Sequence, residues 1–207
     1  MLRQLRLPGL DESVIPFRPD TLDGGCGNSR AFSLFYAIFP TTEDAHRIAH
    51  VASELRDSHA LGGAPLRPHR LHITLVTIAS FVNTLPQLIM DAAIAASANT
   101  HCRAFRVTFD RAVSFQRSDA FVLRCSPDSD EAIARLRQPL ARALQGAGLR
   151  PKVSSTPHMT MHYGAHSISE IGVAPLSWTA TRFALVVSHI GRTHHQWITE
   201  RRLQELD

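Results

Sequence analysis

The sequence predicts an α+β fold built from two similar halves. Predicted strands and helices are mixed along the chain, and this mixture is typical of the α+β class. The tripeptide His-x-Thr occurs twice, at residues 72–74 and 158–160, each time between apolar neighbours. With 207 residues and 44% apolar content, the chain can build one substantial core. The spacing of the two motifs lets each belong to its own half, so we expect a duplicated design.

The chain pattern begins with a predicted central strand. Residues 31–39 form a near-continuous apolar run that ends at Pro40, as a strand buried in a sheet would. Thr41 or Thr42 can then cap a helix whose first turn is acidic. The Gly-Gly-Ala-Pro segment at residues 62–65 is expected to stop this helix.

The first motif strand is predicted at residues 71–78. A second helix is predicted over residues 84–98, with Pro86 in its first turn. Two strands then follow at residues 105–115 and 120–125, with a polar turn between them. This middle part of the chain therefore reads as strand, helix and hairpin.

The remaining pattern repeats the helix and motif strand. Residues 126–128, Ser-Pro-Asp, open a third helix, which ends at Gly146 and Gly148. The second motif strand comes next, and residues 183–190 and 196–203 are expected to form a closing antiparallel pair. The order of elements thus supports two halves, each contributing one motif.

Domain organisation and compartment follow from composition. Residues 1–30 are rich in proline and glycine and predict an irregular N-terminal extension, so we expect a single domain over residues 31–207. No apolar run approaches the roughly 18 residues of a membrane span, and the start lacks a secretory signal, which predicts no membrane association. An odd number of cysteines without a pairing motif favours the reducing cytoplasm. These are Cys26, Cys102 and Cys125.

The charge pattern permits an anionic partner. The chain has 22 Lys+Arg against 18 Asp+Glu, and all but one of these cations are arginine, the exception being Lys152. Arginine suits bidentate contacts with phosphate. A GC-rich genome would give the same bias, so composition alone leaves both explanations open.

The two motifs are the main functional signal. They are the only His-x-Thr tripeptides in the chain, and two copies with apolar flanks arise by chance in about one chain in a hundred of this composition. In an extended strand, alternate side chains share a face. We therefore expect His72 with Thr74, and His158 with Thr160, to point away from the core.

The histidines permit two other interpretations. Each motif histidine can be an ordinary core residue satisfied by hydrogen bonds, an interpretation that is favoured for one motif alone but not for a matched pair. His158 with His162, or His194 with His195, could also ligate a metal. The chain lacks the spacing of a closed metal site, so we expect no metal and no other cofactor.

With these residues assembled, the chain resembles the 2H phosphoesterase superfamily, and within it the LigT-like 2′-5′ RNA ligase / RNA 2′,3′-cyclic phosphodiesterase group. The resemblance covers roughly residues 31–203. It implies a bilobal α+β fold in which two pseudo-symmetric antiparallel sheets, flanked by helices, surround a central cleft. It also implies that His72 and His158 are catalytic and that Thr74 and Thr160 bind phosphate.

The function implied by the resemblance is metal-independent hydrolysis of RNA 2′,3′-cyclic phosphates to 2′-phosphates, with a reversible 2′-5′ RNA ligase activity as a second capacity. Histidine suits this chemistry because its pKa of about 6.5 allows both proton removal and proton donation near neutral pH. We assign His158 as general base and His72 as general acid. The expected partners are RNA with 2′,3′-cyclic phosphate ends or cyclic nucleotides, and we expect a monomer. The alternative is a module that binds a nucleotide or RNA end without turnover.

One position departs from the pattern of the group. Many members have arginine two residues after the second motif, where this chain has Tyr163, which offers only a neutral hydrogen bond. Positive charge must then come from elsewhere. Further substrate-binding candidates are Arg70, expected on the same strand face as His72, and Phe115, which together with Tyr163 could stack on a base. Arg150 and Lys152 precede the second motif and could attract RNA.

Overall fold

The computed structural model describes residues 31–164, 166–189 and 194–205. The predicted extension at residues 1–30 lies outside this part of the chain. Within the described ranges there are eight strands, three α-helices and a short 3₁₀ helix at Pro68–Arg70. The strands and helices are β1 Ala31–Ile38, α1 Thr42–Ser58, β2 Ile73–Val82, α2 Gln87–Ala98, β3 Phe105–Phe115, β4 Ala120–Cys125, α3 Pro127–Gly146, β5 His158–Tyr163, β6 Ile171–Ala180, β7 Arg182–His189 and β8 His194–Arg202.

All eight strands belong to one sheet, in the order β6-β3-β4-β5-β2-β1-β7-β8, and every neighbouring pair is antiparallel. The predicted α+β class is confirmed. We call β2, β1, β7 and β8 the His72 half, and β6, β3, β4 and β5 the His158 half. The halves meet where β2 pairs with β5 through Ile73 and Met159. The two expected sheets are therefore joined edge to edge into one.

The main core lies between the helices and one face of this sheet. Alternation along β1 illustrates the division: Tyr36 belongs to the main core, whereas Phe35 belongs to a small cluster on the opposite face. Helices α1 and α3 each contribute a stripe of buried apolar residues to the main core. The small cluster on the opposite face consists of Phe35, Ala37, Phe39, Ala184 and Val186. Within the described residues, no helix is long and apolar enough to cross a membrane.

Capping residues set two helix starts as expected. The Thr41 hydroxyl accepts a hydrogen bond from the Asp44 amide at 3.1 Å, and the Ser126 hydroxyl accepts one from the Ser129 amide at 3.4 Å. Helix α2 begins at Gln87, later than the predicted residue 84, because the residue before a proline is disfavoured in helical conformation and Pro86 itself is extended.

Two strand predictions were wrong in ways that the structure explains. The first motif strand begins at Ile73 rather than at residue 71, because Pro68 opens the 3₁₀ turn that precedes it. Strand β6 was missed altogether, since Gly172 and Pro175 interrupt its pattern. Proline is tolerated here because β6 lies at the edge of the sheet. The predicted boundaries of β3 and β4 are confirmed.

Gly63 packs the loop after α1 tightly against the end of β5. Its φ is +98°, and a Cβ there would lie 1.9 Å from the carbonyl oxygen of Tyr163. Gly148 offers a matched control, because its φ is +82° but a Cβ would meet nothing within 4 Å. Both conformations strain an L side chain, while only the first also forces the backbone to move.

We therefore predict that Gly148→Ala lowers the free energy of unfolding by about 1–2 kcal/mol. Gly63→Ala is expected to cost about 3 kcal/mol or more, because strain and a backbone clash add. Chemical denaturation of the two variants and the parent measures both. Equal losses for the two variants would contradict the close packing of this loop on β5.

Candidate active site

The two His-x-Thr motifs lie side by side at the centre of the sheet. Ile73 and Met159 are fully buried on the helix-covered face. The histidine and threonine of each motif therefore point to the open face, where all four side chains are half-buried. Because the strands are antiparallel, the Ile73–Met159 pair places His72 next to Thr160 and Thr74 next to His158.

The four side chains form a square with the histidines on one diagonal. Diagonal neighbours on paired strands are typically about 7–8 Å apart, with their Cβ atoms somewhat closer. At this separation, both imidazoles can reach one small group that lies between them. Two adjacent strands, one from each half, thus place two histidines and two threonine hydroxyls close together on the open face.

The two imidazoles are held in the same way. His72 Nδ1 lies 2.7 Å from the carbonyl oxygen of Arg70, and His158 Nδ1 lies 2.8 Å from that of Thr156. Since a carbonyl only accepts, Nδ1 carries the proton in each ring and donates it. Each neutral ring therefore presents an unprotonated Nε2, the atom that can take up a proton.

His72 has an aromatic environment. Phe35 stacks on its ring with centroids 5.3 Å apart, Phe39 lies at 5.6 Å, and the edge of His195 approaches to 5.0 Å. The pKa of His72 is lowered to about 4, mainly by burial, with smaller contributions from the positive charge of Arg70 and from the neighbouring His158. The hydrogen bond to the Arg70 carbonyl opposes this change in part.

His158 has a cationic environment. Its backbone pairs with Arg124 on β4, so both side chains share the open face. The ring of Phe115 meets the His158 ring edge-on at 4.8 Å. Burial is the main cause that lowers the pKa of His158, and the charges of Arg137 and Arg124 add to it, against the hydrogen bond to Thr156.

Arg137 supports both motif strands from the helix side. It is buried on α3 and donates hydrogen bonds to the carbonyl oxygens of Thr74 at 2.7 Å and Ser154 at 2.8 Å. Burial lowers the pKa of this guanidinium. The side chain therefore connects β2 to the segment that leads into β5.

The structure refines the other predicted site residues. Arg70 lies in the 3₁₀ turn rather than on the strand; its carbonyl oxygen accepts the hydrogen bond from His72, and its positive charge lowers the pKa of that ring. Phe115 is brought against His158 as described. Tyr163 stands at the end of β5 opposite Ala120, with 47% of its surface exposed.

The basic segment before β5 runs beside β2. Lys152 and Thr77 exchange two backbone hydrogen bonds, at 2.7 and 2.9 Å, and the side chains of Lys152 and Arg150 are exposed. His162 is buried and stacks on Phe121, so it does not share the open face with His158. The side chain of His194 lies outside the described part. Among the described residues, no group of three or more His, Cys, Asp or Glu could hold a metal ion.

Several residues of the site escaped the sequence analysis. Arg137 interrupts the apolar stripe of α3, one turn from Ile133, and an arginine in such a stripe was a usable signal. Arg124 likewise interrupts an otherwise apolar strand. The contacts of Phe35, Phe39 and His195 with His72 had no local signal, since they depend on which strands become neighbours.

Comparison with known families identifies the superfamily of the chain. A family model described as the 2′-5′ RNA ligase superfamily matches residues 41–192. Together the fold and the paired motifs define a 2H phosphoesterase, an enzyme class of the phosphodiesterase type. The chain belongs to the 2′-5′ RNA ligase superfamily.

Solved structures show the same fold. Escherichia coli LigT in apo form is 20% identical, with a TM-score of 0.67, and the match covers 84% of this chain and 99% of LigT. The protein TT0787 of Thermus thermophilus is 19% identical, with a TM-score of 0.62 and coverage of 84% and 98%. LigT has also been solved with 3′-AMP, at 19% identity, a TM-score of 0.65 and coverage of 84% and 99%. No curated protein sequence matches significantly.

The environment of His72 predicts an unusual titration. We expect long-range ¹H–¹⁵N spectra to show an Nδ1-protonated ring at pH 7, with a midpoint near 4 in the folded protein. In denaturant the same ring should titrate near the ordinary value of about 6.5. The unfolded state then binds more protons between these values, so His72 contributes stability above pH 6.5 that is lost as pH falls towards 4. A folded midpoint at or above 6.5 would contradict this environment.

Proposed function

We propose that the protein is a metal-independent RNA 2′,3′-cyclic phosphodiesterase. The observation that carries the proposal is the square of His72, Thr160, His158 and Thr74 on the open face of the sheet. Opening a cyclic phosphate requires one group to take a proton from water and another to give one to the leaving oxygen. Two equivalently oriented imidazoles on opposite corners of one square meet that requirement.

In the proposed reaction, His158 Nε2 takes a proton from a water molecule as the water oxygen bonds to phosphorus. The bond from phosphorus to the ribose 3′ oxygen breaks, and His72 Nε2 donates a proton to that oxygen. The product is a 2′-phosphate with a free 3′-hydroxyl. Proton exchange with solvent then returns His158 to its neutral form and His72 to its protonated form for the next turnover.

His72 must carry a proton to act as an acid, although its pKa is about 4 in the free protein. A phosphate anion bound within a few ångströms favours the charged imidazolium, so substrate binding raises that pKa. The aromatic environment keeps water away from the ring and strengthens this attraction. Substrate binding thus increases the fraction of His72 that is protonated and can act as the general acid.

The threonine hydroxyls have a complementary role. Each lies beside the histidine of the other motif, where it can donate a hydrogen bond to a non-bridging phosphate oxygen. Negative charge on these oxygens must be stabilised in the transition state, and donors fixed in place do this without reorganisation. Thr74 and Thr160 are therefore assigned to phosphate binding.

The proposed substrates are RNA ends that carry a 2′,3′-cyclic phosphate, or the corresponding cyclic nucleotides. The excess of 22 Lys+Arg over 18 Asp+Glu is compatible with a polyanion. E. coli LigT, which shares the fold, has been solved with 3′-AMP and with phosphate. If the 5′-hydroxyl of a second RNA replaced water, the same step would form a 2′-5′ bond, and this is the proposed ligase activity.

Loss of either histidine should strongly reduce turnover. We predict that His72→Ala and His158→Ala each reduce kcat/KM for adenosine 2′,3′-cyclic phosphate by about 10²–10⁴-fold, because each removes one proton carrier. His50→Ala, on the exposed side of α1, is the matched control and should keep full activity. Chromatography should identify the 2′-phosphate product, at a rate that EDTA does not change.

Two outcomes would overturn the proposed function. Activity within tenfold of the parent in both histidine variants would exclude the two-imidazole mechanism. Tight binding of the cyclic nucleotide by the parent without any turnover would instead identify a binding module.

The hydroxyls can be tested separately. Thr74→Val and Thr160→Val keep the side-chain shape but remove the donor, and each is predicted to lower kcat by about 10²–10³-fold. Thr179→Val, on the exposed edge strand β6, is the matched control. Steady-state kinetic assays with the same cyclic nucleotide measure kcat for each variant. An unchanged kcat in both motif variants would remove the threonines from the reaction.

A further inference from the structure

The two halves of the site are not equivalent in what lies next to each histidine. Ile38, the last residue of β1, pairs with Ile73. The next residue, Phe39, therefore lies across from His72. In the His158 half, the corresponding position on β4 is Arg124, which pairs with His158 directly. The strand position next to each histidine is therefore equivalent in backbone and different in chemistry, because it holds Phe39 beside His72 and Arg124 beside His158.

The guanidinium of Arg124 is only partly used by the protein. Its Nη1 donates to a carboxylate oxygen of Glu170 at 2.6 Å, and 24% of the side chain is exposed. Its Nε is buried and has no hydrogen-bond partner among the described residues. A buried donor without an acceptor is unfavourable, so such a group is expected to meet an acceptor when the site is filled.

Arg111, the next arginine along the same face, provides a contrast. It pairs with Arg124 across β3 and β4. Its guanidinium donates to Asp110 at 2.9 Å and to the carbonyl oxygen of Cys125 at 2.5 Å, so two of its nitrogens serve the fold. Arg124 instead has a buried Nε with no acceptor among the described residues, and it occupies the strand position paired with His158.

We propose that Arg124 is a phosphate-binding residue of this site, donating to a non-bridging oxygen of the phosphate held between the two histidines. Glu170 orients the guanidinium through its hydrogen bond with Nη1. Arg124 would supply the charged contact that Tyr163, with one neutral hydroxyl, does not. This inference rests on the proposed function for the identity of the phosphate, and extends it by assigning the source of positive charge.

The test compares Arg124→Gln, Arg124→Lys and the control Arg111→Gln. Adenosine 2′-monophosphate is the binding probe, measured by calorimetry, and denaturation confirms that each variant is folded. Arg124→Gln should weaken binding roughly 10- to 100-fold, the range expected for a hydrogen bond to a charged group. Arg124→Lys keeps the charge but loses the planar fork, so its affinity should fall in between. Arg111→Gln should stay within about threefold of the parent.

A second readout separates phosphate binding from a structural role. Removing the cation beside His158 in Arg124→Gln should raise the pKa of that imidazole, while Arg124→Lys should leave it near the parent value, both followed by NMR. A residue that merely held β4 in place would produce neither this pattern nor the graded affinity. If Arg124→Gln is too unstable, the Lys variant alone carries the test.

The outcomes also separate this inference from the proposed function. A parent that binds adenosine 2′-monophosphate but does not hydrolyse the cyclic nucleotide would overturn the function, while Arg124 could still be confirmed as an anion ligand by the binding series. Affinity of Arg124→Gln within threefold of the parent would overturn the inference, as would a parent that binds no phosphate. An Arg111→Gln variant as weak as Arg124→Gln would reduce the effect to net charge and overturn it as well.

Discussion

The site depends on the backbone pairing of Ile73 with Met159 at the centre of the sheet. This pair joins the His72 half to the His158 half, and it sets which motif residues become neighbours. A shift by one residue would turn the histidines of one strand towards the core, because side chains alternate with a period of two. Arg137 stabilises this pairing from the helix-covered face of the sheet, since it donates hydrogen bonds to the carbonyl oxygens of Thr74 and Ser154. One backbone pair and one buried cation thus support the geometry of four functional groups.

His72 and His158 occupy equivalent backbone positions but have different surroundings, and this difference suits a reaction that needs one acid and one base. Two imidazoles in identical environments would have the same affinity for a proton, so neither would be favoured as the acid or as the base. Here two phenylalanine rings pack on His72, whereas His158 has one aromatic contact and the positive charges of Arg137 and Arg124 act on it. The structure therefore distinguishes two histidines that the sequence motif presents as copies of one another.

Local patterns predicted what depends on neighbours along the chain. Alternation around His72 and His158 was enough to predict which face they occupy, and the caps at Thr41 and Ser126 follow from residue type. Contacts across strands could not be predicted in this way. The pairing of Arg124 with His158 depends on strand order and register, which local periodicity does not encode. Strand β6 was missed for a related reason, because an edge strand is allowed glycine and proline that a central strand is not.

The order of strands has a consequence for how the cleft is assembled. Strands β3 to β6 follow one another in sequence, so the His158 half is built from a continuous segment, Phe105 to Ala180. The His72 half closes only when β7 pairs with β1, for example Phe32 with His189, across the whole of that segment. Contacts between residues distant in sequence form slowly because closing the long intervening loop costs conformational entropy. We therefore expect the His158 corner to form first, and catalytic competence to arise only in the last step of folding.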